Sequence, residues 1–178
     1  MDQPERVTVV AFDPRWADAF AREAAEIRDA LAPLAITLHH MGSTAVPGLA
    51  AKPIIDMLGE VSDLGALDLR RSALTRLGYE ALGAFGIPGR RYFRKRDRAG
   101  ARSHHLHVFR EGSPDVTRHL AFVAYLTAHP AMARAYGDLK QRLAREGADW
   151  ERYIAGKSRM VAQIEADALA WRAANPGD

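Results

Sequence analysis

Apolar side chains recur every three or four positions in five stretches of the chain and alternate with polar ones in most of the rest. The first helical stretch, about 14–31, carries Trp16, Phe20, Ala24, Ile27 and Leu31 on one face, and Asp13-Pro14 reads as an N-cap followed by proline at the first helical position. Pro33 stops it. A short extended lead-in, Arg6-Val7-Thr8-Val9-Val10, precedes this helix. Strands are predicted at about 36–41, 53–58, 79–82, 91–95 and 104–109, and helices at about 63–77, 115–128, 130–146 and 150–174. Pro53-Ile54-Ile55-Asp56-Met57-Leu58 is apolar except for one acid, the pattern of a strand covered on both faces and therefore central in its sheet. The expected architecture is α/β (α+β): a mixed sheet flanked by helices over about 1–112, then a helical tail over about 113–178, in a single domain.

At 178 residues, 48% hydrophobic and 26% charged, the chain has material for one ordinary core. It has no cysteine, which excludes a disulfide framework, thiol catalysis and Cys-ligated zinc. No apolar run approaches a membrane span, and the start Met-Asp-Gln-Pro-Glu is unlike a secretory signal, so a cytoplasmic location without membrane contact is expected. The formal charge is only +3, and basic residues mostly alternate with acids. The exception is Arg90, Arg91, Arg94, Lys95, Arg96 and Arg98, with Arg102 close behind. That cluster reads either as a solvated hairpin or as a phosphate contact, and the low net charge disfavours nucleic acid as a partner.

Candidate chemistry concentrates between residues 39 and 56. Gly42 permits close backbone approach, and Ser43 and Thr44 offer hydroxyls and amides to an anion. Lys52 lies just before the acid-bearing strand. An acid inside a buried strand is costly unless paired, hydrogen-bonded or on a metal, so Asp56 is either a ligand-binding group or a structural cap of the Gly42-Ser43 turn. His105 and His107 alternate with Leu106 and Val108 and project from one strand face, as a metal pair or as ordinary polar-face histidines. Lys140 and Lys157 each follow a tyrosine, Tyr136 and Tyr153, by one helical turn, so each either snorkels to solvent or points into a cleft.

The string Gly42-Ser43-Thr44-Ala45-Val46-Pro47-Gly48-Leu49-Ala50-Ala51-Lys52-Pro53-Ile54-Ile55-Asp56 resembles the GrpB family, and through it the nucleotidyltransferase superfamily. The resemblance extends over most of the chain, through Asp13-Pro14-x-Trp16, Leu77-Gly78-Tyr79, Arg91-Tyr92-Phe93, His105-Leu106-His107-Val108, Tyr136-x3-Lys140 and Tyr153-x3-Lys157. It implies a nucleotidyltransferase-like fold with Ser43 and Asp56 at the catalytic position. It also implies a phosphate-binding turn at Gly42, Ser43 and Thr44, with Lys52, Arg91, Lys140, Tyr153 and Lys157 around the ligand. A divalent ion, Mg2+ or Mn2+, with Zn2+ as the histidine-favoured alternative, would sit on Asp56, His105 and His107.

Two departures bear on activity. The superfamily's second acid, two residues on, falls at Leu58; Glu60 has the right parity but lies ~13 Å from Asp56 along a strand. Family members commonly read Phe-Arg-Asp-Tyr-Leu where this chain has Phe122-Val123-Ala124-Tyr125-Leu126. Asp97 and Glu111 are the candidates to supply an acid from elsewhere. The resemblance therefore implies a nucleotidyltransferase-like protein that binds a nucleotide or other phosphorylated ligand with a metal and transfers a nucleotidyl group to an acceptor. The alternative is a catalytically degenerate module for nucleotide or coenzyme-A-like ligands, in keeping with GrpB-like domains fused to a coenzyme A biosynthetic kinase.

Overall fold

The computed structural model describes residues 7–175; Arg6 of the lead-in and the polar N-terminal residues fall outside them. Five helices and five strands follow the predicted order. They are α1 (Arg15–Leu31), β1 (Thr37–Met41), β2 (Ile55–Val61), α2 (Leu64–Arg76), β3 (Tyr79–Ala81), β4 (Arg91–Arg96), β5 (Arg102–Arg110), α3 (Pro114–Ala128), α4 (Pro130–Arg145) and α5 (Trp150–Ala174). Most bounds lie within a residue or two of the expectation. Pro14 is itself the cap of α1, one residue later than expected, while the Asp13 carboxylate still accepts the Arg15 amide. β2 begins two residues later than predicted and runs on through Gly59, Glu60 and Val61, because Pro53 cannot supply a ladder donor. Of the extended lead-in, Val10 makes a bridge to Ala51.

The sheet order is β1-β2-β5-β4-β3. β2 pairs antiparallel with β1 and parallel with β5, so both of its edges are satisfied, as its apolar composition requires. Side chains alternate across this sheet and pack a core on each of its faces. On one face Ile55, Met57, Val61, Leu106, Val108 and Phe93 pack with Ile27 and Leu31 of α1 and Leu67 and Leu74 of α2. On the other, Leu58, Phe109 and Met41 pack with Val116 of α3. Val46 and Leu49, in the segment between β1 and β2, join Leu126, Ala133, Tyr136 and Ile164 of the three C-terminal helices. This ties the turn after β1 to the helical tail and opens a cleft between them. No helix among the described residues is long and apolar enough to cross a membrane.

Candidate functional site

Parallel register sets Asp56 of β2 beside His105 of β5, and Leu58 beside His107. The two-residue period then puts Asp56, His105 and His107 on one sheet face, the face toward α3. The His105 Nδ1 lies 3.0 Å from Asp56 Oδ1, while His105 Nε2 is buried without a hydrogen-bond partner. Gly42 closes over the carboxylate: a Cβ there would stand 2.8 Å from Asp56 Oδ2, and its φ of 70° is left-handed. Burial works against the Asp56 charge, but the His105 hydrogen bond and the nearby Lys52 outweigh it and hold the carboxyl below the usual range. His107 is neutral: burial pushes its imidazole down to about 3.

The other wall is cationic. Lys140, from α4, is 1% exposed and donates to Ser43 Oγ at 2.7 Å; its ammonium also lies 4.4 Å from the Tyr136 ring. Burial, with Lys157 and Lys52 nearby, lowers its pKa to about 7. Among the described residues Lys140 makes no ion pair with a carboxylate, which is unusual for an enclosed lysine. Lys157 of α5 sits over the Tyr153 ring, and Lys52 lies 3.5 Å from the centre of the Trp150 ring. Gly42, Ser43, Thr44, Lys52, Asp56, His105, His107, Lys140, Tyr153 and Lys157 thus line one cleft of about 370 Å³, and the two readings of the late lysines resolve toward the cleft. Within it both turn hydroxyls are engaged: the Thr44 hydroxyl is 2.9 Å from His40 Nε2, and the Ser43 hydroxyl accepts from Lys140.

Arg91 lies elsewhere. It forms a bidentate pair with Asp68 of α2, both bonds 2.7 Å, on the opposite sheet face. Arg90 and Tyr92 line the cleft instead. The period-two rule could have placed Tyr92, which registers with His107; Arg90 precedes the strand and carried no such signal. Arg94 and Lys95 pair with Glu80 and Glu23, so much of the basic cluster is neutralised by neighbouring acids. Neither Asp97 nor Glu111 lines the cleft. Asp97 caps the β4–β5 turn through the Ala99 and Ala101 amides, and Glu60 is held by His39 at 2.8 Å. The acid the sequence reading missed is Glu165 of α5, a cleft residue already bonded to Arg118 of α3. His119 and Trp150 also line the cleft; as single residues on helices they carried no motif.

One ligand atom each from Asp56, His105 and His107 lie within 4.8 Å of one another, so these three could hold a metal ion. Two imidazoles and a carboxylate, with one buried ring nitrogen unpartnered, fit Mn2+, Fe2+ or Zn2+ better than Mg2+, which prefers oxygen ligands. Arg90 constrains this, since it can only donate to His107 Nδ1, at 3.3 Å, and an ion on that nitrogen would replace it.

The fold is nucleotidyltransferase-like. The Cid1 poly(U) polymerase with MgGTP bound superposes at a TM-score of 0.51 and 11% identity, over 75% of this chain and 42% of that one. A GLD-2/RNP-8 complex chain gives 0.56 and 11%, over 82% and 59%. The GrpB protein family profile matches residues 6–167, and the chain belongs to that family. The crystal structure of conserved protein GrpB from Enterococcus faecalis matches at a TM-score of 0.86 and 39% identity, over 92% of this chain and 98% of that one. UPF0157 protein YqkA of Bacillus subtilis is 39% identical over 94% of this chain, which spans 48% of YqkA. A dephospho-CoA kinase of Mycolicibacterium paratuberculosis is 30% identical over 85% of this chain, which spans 43% of its length.

Proposed function

We propose that the cleft binds a nucleotide or other phosphorylated ligand together with a divalent metal ion, as a nucleotidyltransferase-type site able to pass a nucleotidyl group to an acceptor. The observation that carries this reading is Lys140: a fully enclosed lysine on Ser43, near Lys52 and Lys157, that makes no ion pair with a carboxylate among the described residues. Burial disfavours the charged form in that position, and an arriving anion would favour it. Ser43 and the turn amides would take phosphate oxygens, with the three lysines balancing their charge. The fit of Asp56, His105 and His107 to a transition-metal ion adds a group that would neutralise charge on the same phosphates.

A second reading has its own support. Leu58 occupies the position of the second acid, inaccessible among Met41, Phe109 and Val116, and the cleft's other acid, Glu165, is engaged by Arg118. On that basis the site is a binding module that keeps the anion pocket without transfer chemistry, for which the likeness to a dephospho-CoA kinase suggests coenzyme-A-like ligands.

Thermal unfolding separates the two. Nucleoside triphosphates, coenzyme A and tripolyphosphate are crossed with Mn2+, Mg2+, Zn2+ or chelator, on the wild type and Asp56→Asn. A ligand at 100 times its Kd adds about 2.7 kcal/mol, several degrees at this size. A shift that needs nucleotide and metal and disappears in Asp56→Asn supports the transferase-type site. Equal shifts with chelator present favour the binding module, and no shift with any phosphorylated compound refutes both.

A further inference from the structure

The cleft has an apolar mouth that phosphate binding does not use. Phe85, in the loop between β3 and β4, lines it and is 64% exposed; Ile154 of α5 lines it too and is 41% exposed. Phe85 is also the one non-glycine among the described residues with positive φ, at 43°. A bulky side chain is a rare occupant of that region, where glycine or asparagine would be relaxed.

The strain is held in place by design of the loop. Arg90, itself buried, donates from Nε to the Ala84 carbonyl at 3.1 Å and from Nη2 to the Phe85 carbonyl at 2.7 Å. Its third nitrogen reaches His107. Backbone bonds from Leu82 to Tyr92 and from Tyr92 to Gly83 clamp the loop's first arm. The Phe85 ring then rests 5.4 Å from that of Tyr92, whose ring lies 4.8 Å from His107. A chain of contacts therefore fixes an exposed aromatic ring relative to the Asp56, His105 and His107 group. Core packing does not account for it, since most of the residue remains in solvent.

We propose that Phe85 is the stacking surface for a planar heterocycle on the ligand, so that the cleft selects a nucleoside phosphate over a bare phosphate chain. This rests on the phosphate-binding reading of the cleft given above. Charged groups would hold the phosphate end, and the ring would lie at the apolar mouth against Phe85, with Ile154 available as a second apolar contact. Base–aromatic stacking tolerates any base, so Phe85 would distinguish ring from no ring rather than one base from another.

Calorimetric titration of tripolyphosphate and of ATP, with Mn2+ present, tests this on the wild type, Phe85→Ala, Phe85→Trp and Phe85→Gly. Removing one stacked base contact should weaken ATP roughly tenfold in Phe85→Ala, with tripolyphosphate unchanged within about twofold. Phe85→Trp should restore ATP binding. Phe85→Gly should raise Tm, by releasing the strained φ, while losing ATP affinity as Ala does. The proposal is overturned if the wild type binds tripolyphosphate as tightly as ATP, or if Phe85→Ala weakens both equally or neither. If the wild type binds neither compound, the phosphate reading of the cleft fails, and this inference fails with it.

Discussion

Lys140→Met should make the ligand-free protein more stable, and by an amount that depends on pH. The unfolded chain protonates this lysine below about 10.5, the folded chain only below about 7. Between those values the unfolded state binds more protons, so the wild type loses stability as pH falls through the window and loses little more below it. At 1.36 kcal/mol per pH unit the penalty is about 4 kcal/mol at pH 7 and about 2 kcal/mol at pH 9. Methionine fills a similar volume without charge but gives up the 2.7 Å bond to Ser43, worth about 1 kcal/mol. The net gain is then about 3 kcal/mol at pH 7, roughly 6–12 °C in Tm for a chain of this size, and about 1 kcal/mol at pH 9. Urea unfolding of both proteins at pH 7, 8 and 9 measures it directly. The same variant should lose most of its stabilisation by tripolyphosphate. A Met variant less stable than wild type at pH 7, or a stability gap that does not narrow toward pH 9, would refute the claim that Lys140 is an enclosed cation awaiting an anion.

Two further substitutions probe the acidic wall. Gly42→Ala places a methyl 2.8 Å from Asp56 Oδ2 at φ 70° and ψ −167°, a region open essentially to glycine, and should cost about 1–3 kcal/mol in urea unfolding. It should also weaken the metal-dependent thermal shift; an unchanged shift would mean that Asp56 does not need this close approach to act. Leu58→Asp sets a carboxylate into a closed apolar cluster and should destabilise by more than about 3 kcal/mol. A variant that instead folds with near-native Tm and gains Mn2+ affinity would mean that the site accepts a second acid.

The order of elements was legible because the core is built from long, regular periods. The five helices announced themselves by spacing, and the Asp56 strand by its apolar run with one costly acid. Asp56 stood out by the cost of burying its charge, whereas the two histidines and the late lysines stayed open between ligand contact and ordinary polar roles, and only the resemblance grouped them with the Gly42-Ser43 turn. What alternation alone left ambiguous was which face each strand turned to which layer. Parity within β4 excludes Arg91 from the face of Tyr92, but only the β4–β5 register ties Tyr92 to His107, and only the packing of α2 supplies Asp68 for Arg91.

The sequence by itself determined the periods, the breaks at proline and glycine, and the residues whose burial would be expensive, because these follow from local geometry and solvation. The tertiary structure decided which of those residues meet. It brought Lys140 onto Ser43, 97 positions away, and Glu165 onto Arg118. It left Leu58 sealed where an acid would have stood, and it held Phe85 exposed on a strained loop. Such contacts depend on how helices pack across a sheet, and no period in one segment encodes its distance to another.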